Sequence, residues 1–212
     1  MNDLHNKFKN LWEKQKVICV TQFLGINDLN ISEDLVVFFQ KTGMPLITPG
    51  TGQNFLPFTY LNEIKVKDKD LYLLGDCSPE FIGTSFIGLE KNSEVIYQIR
   101  GDREKKMTYG FVNQSLYQFL ECLYHYNIFC KKYDETEQVI KEDIKESYEQ
   151  LKINLTKIDS KAMSQSDYFW KHKMEVMEVS GYGDYLTGRE IPTGENLRTF
   201  TQEEIDNMDL PF

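Results

Sequence analysis

Apolar residues recur at helical spacing at both ends of the chain and at two-residue spacing in the middle. Near the start, Leu4, Phe8, Leu11 and Trp12 predict an amphipathic helix over residues 2–16. Ser32 reads as an N-cap, with Glu33 and Asp34 in the first turn and Leu35, Phe38 and Phe39 on one face. Gly43 and Pro45 supply the stop signal, and TPGTG at 48–52 reads as a loop. From residue 55 to 113 the period changes. Short runs rich in β-branched and aromatic residues (FLPFTY, IKVKD, LYLLGDC, SFIGLEK, EVIYQIR, MTYGFV) alternate with turn residues. In EVIYQIR the alternation sends Val95, Tyr97 and Ile99 one way and Ile96, Gln98 and Arg100 the other. Asn92-Ser93 joins SFIGLEK to EVIYQIR as a hairpin. Ser115-Leu-Tyr-Gln118 then reads as a capping box, followed by Leu116, Phe119, Leu120, Leu123, Asn127 and Cys130 on a stripe broken only by Asn127. Further helices are predicted over 136–159, with Ile140, Ile144, Tyr148, Leu151, Leu155 and Ile158, and over 166–179, with Phe169, Trp170, Lys173, Val176 and Met177. The stripe from Ile140 to Ile158 is under three heptads long, so packing against the sheet or a neighbouring helix is favoured over a coiled-coil seam. Thr201-Gln-Glu-Glu204 is a cap signal for a short last helix.

These blocks are segregated, not alternating. That predicts an α+β fold, with one largely antiparallel or mixed sheet of about six strands backed by N- and C-terminal helices. The length, 212 residues, suits one domain over residues 1–180 and an acidic extension over 181–212. No run approaches a membrane span, and the first residues lack the apolar core of a secretory signal. Four cysteines without a CxxC pair read as reduced thiols in a cytoplasm.

Charge changes the picture. The formal net charge is −9, but residues 1–133 are balanced, whereas 134–150 carry net −5 and 175–212 net −7. A neutral body with an acidic C-terminal third argues against direct nucleic-acid binding, which needs a basic face, and suits a basic partner. Twenty Lys against four Arg also weigh against a phosphate clamp.

Catalytic and metal chemistry is sparse. His5, His125 and His172 are far apart and lack a partner at metal-ligand spacing, so no metal or cofactor is expected. Ser85 stands between Gly83 and Gly88 but misses the nucleophile-elbow spacing and precedes a strand. Gly181-Tyr-Gly183 has no strand before it. Cys122 and His125 share a helix face, and Cys77 ends a strand, but neither has an orienting group or oxyanion donor in view. His125 reads as half-buried beside Tyr124 and Tyr126, and Asp68 and Asp70 as solvated turn carboxylates.

Two stretches carry a resemblance. One is the helix and turn DLVVFFQKTG at 34–43, followed by Met44-Pro45. The other is the hairpin FIGLEKNSEVIY at 86–97, leading to FVNQSLYQFLECL at 111–123. With Phe169-Trp170 and the helix after it, these are similar to the SUKH superfamily, in particular its fourth immunity-protein subfamily, over residues 30–180. Asn113, Ser115, Leu116, Phe119 and Leu120 match the subfamily's strand-end turn and following helix. The resemblance implies an α+β domain without catalysis. It also implies that the chain neutralises a cognate polymorphic toxin, often a nuclease and hence basic, in the bacterium that makes it. Asn113 and Ser115 are read as strand-end and cap residues. The partner-binding candidates are Tyr60, Asp76 and Asp102 on the sheet, and Glu195, Glu203, Glu204 and Asp206 in the acidic tail. The alternatives are a binding module of the same fold outside toxin defence and, further off, an enzyme using Cys77, Cys122 or His125.

Overall fold

The computed structural model describes residues 2–47, 55–77, 85–101, 106–134 and 141–179. Helix α1 (Asn2–Lys14) buries Phe8 and Trp12, one turn apart. Phe8 meets Phe38 and Tyr117 edge-on, and Trp12 meets Tyr124. The chain then forms β1 (Ile18–Val20), a short 3-10 turn (Ile26–Asp28) and helix α2 (Glu33–Lys41). Ser32 caps α2, its side chain accepting from Leu35 N–H at 3.4 Å. Gly43 ends the helix at φ 74°, and a Cβ there would stand 2.1 Å from the Val20 carbonyl oxygen. Pro45 does more than stop the helix. It sits in β2 (Met44–Leu46), which pairs antiparallel with β1, Cys19 opposite Pro45. This two-stranded ladder lies in stretches that periodicity left without strands, because three-residue strands are too short to show a period.

Among the described residues six further strands make one antiparallel sheet: β3 (Leu56–Pro57), β4 (Glu63–Val66), β5 (Lys69–Asp76), β6 (Ser85–Glu90), β7 (Ile96–Gly101) and β8 (Met107–Asn113). β3 and β4 pair with opposite ends of β5, and the order continues through β6 and β7 to β8. The predicted hairpin joins β6 to β7, and the residue that takes positive φ there is Glu94.

The alternation in EVIYQIR is present, but both faces are buried. Tyr72, Leu74, Ile87, Leu89, Ile96 and Phe111 face the helices. Leu71, Leu73, Phe86, Ile99 and Val66 form a second cluster on the other face. The sheet rolls upon that second cluster: Cα atoms of β4 come within 8 Å of β8, and the Tyr109 hydroxyl donates to Asp68 at 2.7 Å across the gap. Gly88 leaves room inside the roll, since a Cβ there would meet Ile99 Cδ1 at 2.9 Å. A sheet curled this far accounts for LYLLG, a strand without a polar side.

Helices α3 (Leu116–Asp134), α4 (Lys141–Ile158) and α5 (Phe169–Val179) cover the first face. Helix α3 is central, touching α1, α4 and β8, so it buries residues around much of its girth. Ile144, Tyr148, Leu151 and Leu155 of α4 face inward, as the packing alternative to a coiled coil requires, while Ile140 lies outside the described residues. The Tyr148 hydroxyl donates to the Met174 carbonyl at 2.9 Å and ties α4 to α5. The capping box at Ser115 is half formed. Its hydroxyl accepts from Gln118 N–H at 3.3 Å, but the Gln118 amide donates instead to the Ile158 carbonyl at 3.0 Å, where α4 leaves an end carbonyl without a partner of its own. The loop at 48–52, Gly181-Tyr-Gly183 and the cap signal at Thr201 lie outside the described residues.

Candidate functional site: a closed interior and an exposed sheet edge

The polar signals divide between interior and surface. Asn113, at the end of β8, is fully buried. Its carbonyl accepts from Trp170 Nε1 at 2.8 Å, and its amide donates to Asp159 at 3.1 Å and to the Cys122 sulfur at 3.6 Å. Asp159, just past α4, also accepts from the backbone N–H groups of Gln114 (2.9 Å), Lys161 (3.1 Å) and Ala162 (3.2 Å) and from the Gln114 side chain at 3.3 Å. The knot welds β8, α3, α4 and α5 together. Asn113 is therefore a strand-end residue, as expected, and also the hub of the helical layer.

The thiols sit where a thiolate is disfavoured. Burial pushes the Cys77 thiol up to about 11, beside Ser85 Oγ at 3.2 Å, and pushes Cys122 up as well. Among the described residues no hydrogen bond joins Cys122 to His125. The His125 ring is half-buried edge-on to Tyr124, its Nδ1 lies 3.4 Å from Asn154 Nδ2, and burial holds its pKa below the usual histidine value. His5 Nδ1 lies 2.6 Å from Thr42 Oγ1, which ties α1 to the end of α2. Of the two turn carboxylates, Asp68 accepts from Tyr109 and Asp70 lies 3.8 Å from Lys65.

Sequence reasoning passed over Lys173. It was visible as a charge inside the apolar stripe of α5, and it is buried, its Nζ 4.4 Å from the Tyr126 ring centroid and 5.8 Å from Phe169. Burial lowers its pKa to about 7. With Phe55, Cys77, Phe119 and Trp170 it walls a cavity of about 20 Å³. That space admits a water-sized guest and nothing the size of a substrate.

On the surface, Tyr60 is exposed between β3 and β4, and half-buried Asp76 ends β5 opposite Leu56 of β3. These two candidates thus share the β3 end of the sheet. Asp102, Glu195, Glu203, Glu204 and Asp206 lie outside the described residues. No group of His, Cys, Asp or Glu among the described residues is arranged to hold a metal ion, and no described helix is long and apolar enough to cross a membrane.

A rolled antiparallel sheet roofed by helices, with a buried hydrogen-bonded knot at Asn113 and Asp159, defines an α+β protein. A sequence model of the SUKH-4 immunity protein family matches residues 62–178, from the start of β4 through α5. This is more than half of the chain, which belongs to that family, as the resemblance indicated. No curated protein and no solved structure matches it. The family is generally non-catalytic, and membership points to a role in toxin immunity through binding of a cognate toxin.

Proposed function

We propose that this chain is a non-catalytic immunity protein that binds a cognate polymorphic toxin and neutralises it in the cytoplasm of the bacterium that produces it. The observation that carries the reading is the family match over residues 62–178. Charge gives the partner its chemistry. A chain of net −9 whose acidity is concentrated in 134–150 and 175–212 suits a basic protein, and nucleases are basic because they hold phosphates. The carboxylates of the extension over 181–212, among them Glu195, Glu203, Glu204 and Asp206, steer encounter; Tyr60, Asp76 and Asp102 are the candidates if the tail is not the interface.

Gene neighbourhood and co-expression test this. The gene beside this one should encode a large secreted protein with a C-terminal nuclease domain. Expressing that domain should arrest growth, and co-expressing this chain should restore it and yield a complex. Association should slow steeply with salt, as the Debye length shrinks from about 10 Å at 0.1 M to about 3 Å at 1 M. Growth arrest that this chain does not relieve overturns the reading.

A further inference from the structure

Strand β1 has one neighbour, β2, and the direction of its backbone groups follows from what β2 does on its other side. Ile47, just past β2, donates to the Phe55 carbonyl at 3.2 Å and accepts from Phe55 N–H at 2.8 Å, so the odd-numbered residues of β2 point away from β1. Pro45, which has no N–H to give, lies on that same side. Met44 and Leu46 therefore turn their backbone groups towards β1, where they face Val20 and Ile18. The odd-numbered residues of β1 must then point outward. Val17 N–H is donated to the Trp12 carbonyl at 2.9 Å. The Val17 carbonyl, both backbone groups of Cys19 and the Thr21 N–H have no hydrogen bond among the described residues. Side chains leave this edge open: Ile18 is 56% exposed, and Thr21 and Gln22 stand in solvent. Free edges are usually blunted by charge or by Pro, yet VICVT at 17–21 contains neither.

We propose that β1 is a docking edge for a second copy of this chain, the two β1 strands pairing antiparallel about a two-fold axis at Cys19. Self-complementarity commits the edge to that occupant. With Cys19 on the axis, each Cys19 donates to and accepts from the other, and each Thr21 N–H meets the Val17 carbonyl of the second copy. Every free donor in the row thus finds a free acceptor. On one face Ile18 packs against Val20 of the second copy, an apolar β-branched pair that takes the exposed isoleucine out of water. The flanking Lys16 falls opposite Gln22 of the second copy, not opposite another lysine. Residues 1–133, which hold the edge, are balanced in charge, so they neither repel a copy nor draw a basic partner. Such a dimer runs one sheet through both copies. The ladder is short and buries less than a standard interface, so the dimer is weak, with a Kd on the order of 100 μM. The proposal stands apart from the immunity reading.

The test uses the full purified chain, with amide exchange followed residue by residue by NMR and mass followed by sedimentation. The amides of Cys19 and Thr21 should exchange about four-fold more slowly at about 1 mM chain than at about 10 μM, as mass action fills a dimer of that Kd. The amides of Ile18 and Val20, bonded within the chain, should be protected at both concentrations. Sedimentation should show the matching monomer–dimer equilibrium. Ile18→Lys should weaken dimerisation by about ten-fold or more, since a lysine on an open edge blocks strand addition. Ile153→Lys, at a comparably exposed position of α4, should leave it unchanged. If Ile18→Lys lowers the melting temperature, Thr21→Lys, at an exposed position just past β1, decides in its place. A chain that stays monomeric at about 1 mM, with Cys19 and Thr21 exchanging equally at both concentrations, overturns the proposal. So does a dimer indifferent to both lysine variants. A monomer in which the toxin domain encoded beside the gene protects the Cys19 amide, and in which Ile18→Lys abolishes that protection, makes the toxin the occupant and overturns the second copy.

Discussion

Asp159 and Lys173 are both ionisable side chains buried between the helices and the sheet, yet their surroundings differ in kind. Asp159 lies where α4 ends and receives hydrogen bonds from three backbone N–H groups and two side-chain amides. Lys173 lies against aromatic faces and an apolar cavity. A carboxylate so surrounded organises the backbone of two connections. At Lys173 burial disfavours the charged amine and lowers its pKa. Asp159 gathers donors from several elements; Lys173 is a position where charge carries a cost in stability.

The comparison breaks most readily at Asp159. Replacing it with alanine takes the acceptor from five donors, those of Asn113 and Ala162 buried and those of Gln114 and Lys161 part-buried. The expected loss is about 3–5 kcal/mol. For a domain of this size that lowers Tm by roughly 10 °C or more. Asn113→Leu should approach the same loss, because Trp170 Nε1 and Asp159 both lose a partner. Thermal unfolding of each variant and of the pair checks this, and the two losses should be strongly non-additive, as for residues in one network. Additive losses would mean the knot is a set of separate contacts.

Lys173→Met tests the other half with the opposite sign. The substitution removes a buried amine and keeps an unbranched apolar stem, so the variant should be more stable at pH 7 by about 1–3 kcal/mol. The pH dependence follows from linkage. The folded pKa is about 7 and the unfolded value is near 10.5, so between these values the unfolded chain binds more protons. Wild-type stability therefore rises from pH 7 towards pH 10.5, and the full penalty applies below pH 7. Thiols whose pKa is raised by partial or full burial act in the reverse direction. Cys19 and Cys77, pushed up to about 11, stabilise the thiol form, and that contribution is lost as pH climbs towards 11. The Lys173 contribution is accordingly read as the difference between wild type and Lys173→Met, measured by denaturant titration from pH 6 to 10. A difference flat with pH would show that Lys173 is charged throughout. A third measurement addresses the neighbouring Cys77. Alkylation at pH 7.5 should modify it only as fast as the native state opens, with no burst in folded protein.

The contrast between the two sites tracks what a sequence makes visible. Local signals were legible. Ser32 and Ser115 cap the predicted helices, Gly43 takes the positive φ of a helix end, and the runs between 55 and 113 became the strands of the sheet. Long-range consequences were not. Asn113 and Asp159 are 46 residues apart, and neither spacing nor composition joins them. The roll of the sheet shows in the sequence only as LYLLG, a run that fits a buried strand or a helix equally well. The three-residue ladder of β1 and β2 has no period to detect. On the surface, Tyr60 and Asp76 were named only as residues of the sheet. Leu24, which pairs with Tyr60 from another part of the chain, carried no local mark.

The smallest expected effect sharpens the comparison at the edge of the Asp159 knot. Ser115 accepts from Gln118 N–H, one of the end donors that α3 cannot satisfy within itself, and its hydroxyl lies 3.4 Å from Gln118 Oε1. Ser115→Ala removes the cap, and such a loss costs about 1 kcal/mol. The same glutamine donates to the Ile158 carbonyl, immediately before Asp159, so the cap of α3 and the end of α4 share one side chain. If the hydroxyl helps to hold that amide in place, Ser115→Ala and Gln118→Ala should be less than additive by a few tenths of a kcal/mol or more. Ser115→Ala combined with Lys173→Met should be closer to additive, because the link between them, Phe119 in the cavity wall donating its N–H to the Ser115 carbonyl, survives the alanine substitution. Coupling in the first pair and little in the second would mark the rigid region as a connected network and the lysine pocket as a separate one. Equal coupling in both would erase the distinction between them.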